Sequence, residues 1–114
     1  MKAGEKVAIV STGRALPAGK ITNIDLEKIV ETSDEWIRTR TGVRERRMLS
    51  GEETNTSLSV KAAQIALGRA GLTPEDIDLL IVATVTADLT LPSAACLIQA
   101  QLNASNAAAF DLAA

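Results

Sequence analysis

The sequence predicts an α/β fold: a mixed sheet with flanking helices. Three observations carry that expectation. IDLLIVATVT (77–86) is a near-continuous apolar, β-branched run, the pattern of a strand covered on both faces. AAAFDLAA (107–114) is a second apolar run, and the largely apolar helical stretch SAACLIQAQLN (93–103) lies between the two. Strand, helix and strand in that order make a right-handed βαβ unit with a parallel pair. The hydrophobic share, 46%, is mostly Ala, Leu, Ile and Val, which suits helices packed on a buried sheet.

Taken from the start of the chain, VAIVSTG (7–13) is a short β-branched run closed by glycine, hence a strand. ALPAGKITN (15–23) reads as a loop punctuated by Pro17 and Gly19. Asn23 or Thr22 can cap a short helix, IDLEKIV, whose Ile24, Leu26, Ile29 and Val30 are spaced for one apolar face. Thr32 and Glu35 form a T-x-x-E capping-box pair, so a second helix starts near Ser33 and Gly42 is placed to end it. VRERRM is a strand or extended segment with Arg44, Arg46 and Arg47 on its polar side. SGEETNTS (50–57) is a polar loop. LSVKAAQIALGRAG (58–71) is an alanine-rich helix with Leu58, Ala62, Ile65 and Ala66 as its buried stripe and Gly71 as its stop. TPED (73–76) is a capped turn with proline at a favoured first helical position. ADLTLP (87–92) is a loop.

The bulk numbers exclude several function classes. The length, 114 residues, fits one domain or a piece of a larger one. A net charge of −2 supplies no global field for nucleic acid or an anionic membrane. One cysteine excludes an internal disulfide, and the lack of histidine excludes a Cys/His metal cluster. The apolar run near the start is too short for a signal peptide, and no stretch approaches the roughly 18 apolar residues of a membrane span. The default reading is a soluble cytoplasmic protein without metal. An apolar strand at the end of the chain, with Asp111 as the one charge among the last eight residues, looks like a cut chain.

TSDEWIRTRTGVRERR (32–47) concentrates the candidate chemistry, holding the sole tryptophan and five of seven arginines. Trp36 and Arg40 lie one turn apart on the same helix face. An indole can stack a planar base and a guanidinium can fork two bonds to a phosphate, which together suit the adenosine end of coenzyme A. The alternative is that Trp36 staples helix to core while the arginines solvate, and from residue types alone that is the commoner case. Arg44, Arg46 and Arg47 are ordinarily a solvated face, with docking of an acidic partner as the sharper alternative. STG (11–13) lacks the further glycines of a dinucleotide loop. Cys96, three residues into an apolar helix and with no histidine to pair with, reads as a buried structural thiol and not a nucleophile.

The segments TNxDLEKIVxTSDEWIxTRTGxRERR, IDLLIVATVT, PSAACLIQAQL and AAFDLAA, in this order and spacing, resemble the β-ketoacyl-acyl-carrier-protein synthase III family of thiolase-like condensing enzymes. The resemblance runs from about Val7 to Ala114 and covers the first third of such an enzyme. It implies a thiolase-like fold, N-terminal half only, as a single partial domain over 1–114 that stops just before the family's catalytic cysteine. It implies an acyltransferase that starts fatty-acid chains: a cysteine takes the acyl group from acyl-coenzyme A, and malonyl-acyl-carrier protein loses CO2 to give the carbanion that attacks the thioester. The resemblance implies further that Thr32, Trp36 and Arg40 line the mouth of the coenzyme A tunnel, that no catalytic residue lies in this chain, and that no cofactor is needed. It implies a homodimer in which the strand AAAFDLAA pairs across the dyad and Leu91 reaches the partner's acyl pocket. The alternative within enzymes is a related priming synthase of polyketide or quinolone pathways, or a hydroxymethylglutaryl-coenzyme A synthase. From a different class, a non-catalytic coenzyme A-binding module would keep only the clamp.

Overall fold

The computed structural model describes residues 6–113, and its packing separates Leu16–Thr54 from a unit formed by the chain before and after it. In the Leu16–Thr54 unit, β1 (Gly19–Thr22) is followed by α1 (Asn23–Glu27), α2 (Asp34–Thr41) and β2 (Glu45–Met48). β1 and β2 pair antiparallel, with Gly19 opposite Met48 and Thr22 opposite Glu45. The segment 15–23 is therefore not all loop. Its Ile21 and Thr22 are β-branched, and the strand exists because Glu45–Met48 supplies its ladder partner.

Thr22 caps α1 through a reciprocal box. Its N–H and hydroxyl donate to Asp25 Oδ2 (3.0 and 2.6 Å), and the Asp25 N–H donates back to Thr22 Oγ1 (3.2 Å). α1 stops at Glu27, short of the expected Val30, and Ile24, Ile29 and Val30 are exposed. A helix of five residues is too short to hold a continuous apolar face. α2 starts where expected but with a different cap. Ser33, not Thr32, accepts the Trp36 N–H (3.1 Å), so the Thr32–Glu35 box does not form. Gly42 ends α2 at φ 73°, in the left-handed region open to glycine, and its N–H donates to Arg38 O (2.8 Å).

The other unit contains α3 (Asn55–Ala70), a 3₁₀ turn (Pro74–Asp76), β3 (Leu79–Ala83), α4 (Ala94–Leu102) and β4 (Ala108–Leu112). β3 and β4 run parallel, with Leu79 opposite Ala108 and Ala83 opposite Leu112. Helix α4 connects them, as the strand–helix–strand order requires. Val60 of α3, Ile98 and Leu102 of α4, and Ala104 and Ala107 form the core, with Ile77, Leu80 and Val82 packed against it.

Four expectations are corrected in this unit. β3 ends at Ala83, and both strands alternate: Leu79, Ile81, Phe110 and Leu112 are exposed, so the sheet is covered on one face and not on two. Helix α3 begins at Asn55 inside the expected loop, because the Asp88 carboxylate accepts the Asn55 and Thr56 N–H groups (2.9 and 2.7 Å) from 33 and 32 residues away. Its fully buried residues are Thr56 and Val60, while Leu58, Ala62 and Ala66 are half-buried and Ile65 is exposed. The run 7–13 forms no strand: Val7, Ile9 and Val10 are exposed and neither sheet pairs with them. Propensity without a ladder partner does not make a strand. The run is held by α3 instead. Ser11 Oγ donates to Ala66 O (2.7 Å) and Arg69 donates to Thr12 O (2.8 Å). At Gly13 a Cβ would collide with Ala62 O and lie 2.7 Å from Ala66 N, so glycine here permits close approach to the helix.

Candidate functional site

Helix α2 is a short amphipathic platform. Ile37 faces inward at 9% exposure, while Trp36, Arg38 and Arg40 face out. Trp36 is 55% exposed, which excludes the reading of its indole as a staple to the core. Because the cap is Ser33, Thr32 lies outside the helix, and Glu31, Thr32, Ser33 and Trp36 line a shallow pocket of about 240 Å³. One turn on, the Arg40 guanidinium sits 5.0 Å from the indole centroid. Arg38 is drawn off to Asp34 (3.6 Å), an exposed pair one helical turn apart. The three residues expected at a coenzyme A mouth are thus adjacent: two line one pocket, and the third covers the ring.

A fourth residue supports them. Asn23 is 1% exposed and its side chain uses both ends. The amide nitrogen donates to Asp34 Oδ1 and Val43 O (both 2.8 Å), and the carbonyl oxygen accepts from Arg46 (3.0 Å). This hub ties the start of α1 to the first turn of α2 and to the segment entering β2. Sequence reading saw Asn23 only as an alternative cap and gave Arg46 to a solvated face. Arg47 also has a protein partner, Pro17 O at 3.4 Å, whereas Arg44 is exposed. Burial of Asn23 follows from the β1–β2 pairing, which the loop expectation for 15–23 had removed.

Leu91 lies in the other unit, 86% exposed in the loop between β3 and α4. The same loop is fixed to the start of α3 by Asp88 and by the Asn55 side-chain amide, which donates to Thr86 O (3.3 Å).

Cys96 is exposed, contrary to the buried thiol expected. The buried face of α4 is Ala94, Ala95, Ile98 and Leu102, and Cys96 falls on the opposite side of that stripe. The N–H groups of the helix start are already bonded: those of Ala94 and Ala95 donate to the Asp111 carboxylate (2.9 and 2.7 Å) and that of Cys96 to Ser93 Oγ (3.2 Å). A carboxylate occupying this end leaves no donor for a thiolate or an oxyanion. Among the described residues no group of three His, Cys, Asp or Glu side chains could hold a metal ion, and no helix is long and apolar enough to cross a membrane.

No family model matches the chain. Curated relatives do. The chain is 54% identical over 108 residues to a β-ketoacyl-[acyl-carrier-protein] synthase III of Symbiobacterium thermophilum, covering 95% of this chain and 33% of that protein. It is 55% identical to the synthase III of Oceanobacillus iheyensis, over 95% of this chain and 35% of that one. The crystal structure of 3-oxoacyl-[acyl-carrier-protein] synthase III from Aquifex aeolicus superposes with a TM-score of 0.86 at 54% identity, over 92% of this chain and 34% of that chain. A priming β-ketosynthase of a polyketide pathway superposes equally well, at TM-score 0.86 and 34% identity over 97% of this chain and 35% of its own. The chain spans about a third of the length of these relatives. Sequence identity and backbone agree: the chain resembles about a third of a β-ketoacyl-[acyl-carrier-protein] synthase III and shares its thiolase-like α/β fold.

Proposed function

We propose that the chain is the coenzyme A-recognising portion of a condensing enzyme that joins an acyl primer from acyl-coenzyme A to malonyl-acyl-carrier protein, the first step of fatty-acid synthesis. The 54% identity to synthase III relatives supports the reaction class, and the Thr32–Trp36–Arg40 cluster supports the substrate. The pocket, with an indole, two hydroxyls and one carboxylate, suits a neutral base, and Arg40 supplies the cation for a phosphate. With the guanidinium on one face of the indole, the opposite face serves the adenine. Thr32 gives the base its hydrogen bond. None of these groups reacts. They hold the nucleotide so that the thioester end enters the tunnel, and binding energy from the remote end is used to orient the reacting one.

In this reading the chain is a single partial domain whose catalytic cysteine follows Ala114, and the 114 residues alone do not turn over. The reaction needs no metal or redox cofactor. Its homodimer pairs AAAFDLAA across the dyad and places Leu91 in the partner's acyl pocket, where its bulk limits primer length. The enzyme works in the cytoplasm with acyl-coenzyme A and malonyl-acyl-carrier protein, and binds neither nucleic acid nor membrane. The observation that carries the proposal is the exposed Trp36 indole under the Arg40 guanidinium. In the full-length enzyme, Trp36→Ala loses stacking worth roughly 1–3 kcal/mol, so KM for acyl-coenzyme A rises by about fivefold to 150-fold. Unchanged KM in both Trp36→Ala and Arg40→Ala would refute the clamp.

A further inference from the structure

We infer that Asn23 is a positioning residue for nucleotide recognition, acting through Asp34 on the helix that carries Trp36 and Arg40. The inference rests on the clamp reading above. α2 has few apolar holds of its own: among its described residues only Ile37 is buried, and Trp36 and Arg40 point outward. A platform so lightly packed needs directional bonds to fix its orientation, and the first turn of α2 has one from a buried partner. The Asn23 amide donates to Asp34 Oδ1 at 2.8 Å, its second N–H goes to Val43 O just past the end of α2, and its oxygen is held by Arg46 of β2 at 3.0 Å. The same amide thus touches α2's first turn and the chain just beyond its last, so tilting or sliding the helix breaks at least one bond. Buried at 1% exposure, Asn23 cannot replace those bonds with water. The Asp34 N–H is in turn held by Glu27 Oε1 at 2.7 Å, which closes the frame around the start of α2.

The test uses the full-length enzyme and two primers with the same acyl group: the coenzyme A thioester and the pantetheine thioester, which lacks the nucleotide. Asn23→Asp keeps the shape but sets an oxygen against Asp34 Oδ1 and Val43 O. Its kcat/KM falls roughly tenfold with acyl-coenzyme A, through KM, and stays within about twofold with acyl-pantetheine. The exchange Asn23→Asp with Asp34→Asn restores the donor–acceptor pair between the two side chains and leaves Arg46 facing a carboxylate, but still sets an oxygen against Val43 O, so it recovers part of the loss. Equal losses with both primers, or no loss with either, would overturn the inference and leave Asn23 a plain stabilising residue. So would failure of the exchange to recover any acyl-coenzyme A activity while the melting temperature returns. Trp36→Ala, run alongside, separates the two claims. If it does not discriminate between the primers, the clamp itself is wrong; if it does and Asn23→Asp does not, only the positioning role is.

Discussion

At the scale of single residues, two Thr-x-x-Asp boxes set local charge behaviour. Asp25 accepts two bonds from Thr22, and these, the side-chain bond first, hold its pKa down from 3.8 to about 2. Asp76 is lowered in the same direction by the Thr73 N–H and hydroxyl (2.8 and 2.9 Å). A carboxylate with a depressed folded pKa stabilises fully above its ordinary value and loses that contribution as pH falls through the folded one, so the Thr22–Asp25 box loosens between about pH 4 and pH 2 and the Thr73–Asp76 box loosens in the same direction. Thr22→Ala should move the Asp25 titration midpoint, followed by NMR, upward toward its ordinary value of 3.8; a midpoint left near 2 would assign the shift to another cause. Cys96 gives a second residue-scale test. Being exposed, it should react with a maleimide in the folded chain. Protection until denaturant is added would contradict its placement on the outer side of α4.

At the scale of elements, most of what the sequence left unread is the work of distant partners. The helix spans of α2 and α4, the glycine stops at Gly42 and Gly71 and the proline turn at 73–76 depend on residues within a few positions, and all are legible in the sequence. The start of α3 depends on Asp88, β1 depends on β2, and the coil at 7–13 depends on which strands are near. None of these has a local signature. The site divides in the same way. Trp36 and Arg40 are one helical turn apart and can be read together, whereas Asn23 becomes part of the site only once β1 and β2 pair. Asp111 shows the reach of such a contact: from the inner face of β4 it caps α4 with both oxygens. Asp111→Ala removes an N-terminal cap worth typically about 1 kcal/mol, or more at a half-buried site. The expected outcome is a lower denaturation midpoint and faster amide exchange at Ala94 and Ala95, while unchanged exchange there would remove Asp111 from this role.

At the scale of the whole molecule, the β3–β4 sheet exposes Leu79, Ile81, Phe110 and Leu112 on one face. Scattered apolar residues on a surface are ordinary, but four on one face of a two-stranded sheet form a patch that water disfavours. The relatives are about three times longer, and in the proposed full-length enzyme the additional chain covers this face. The 114-residue chain alone should therefore self-associate and bind a hydrophobic dye, and Ile81→Lys with Phe110→Lys should reduce both. A monodisperse, dye-silent monomer in light scattering would show that the face needs no cover.

The central claim, that Thr32, Trp36 and Arg40 recognise the nucleotide of coenzyme A, can be read directly from the fluorescence of Trp36, the sole tryptophan. Coenzyme A titrated into the chain should quench that emission saturably, pantetheine should not, and Arg40→Ala should shift the curve to higher concentration by roughly tenfold. Emission that ignores coenzyme A, or that responds equally to pantetheine, would contradict the account.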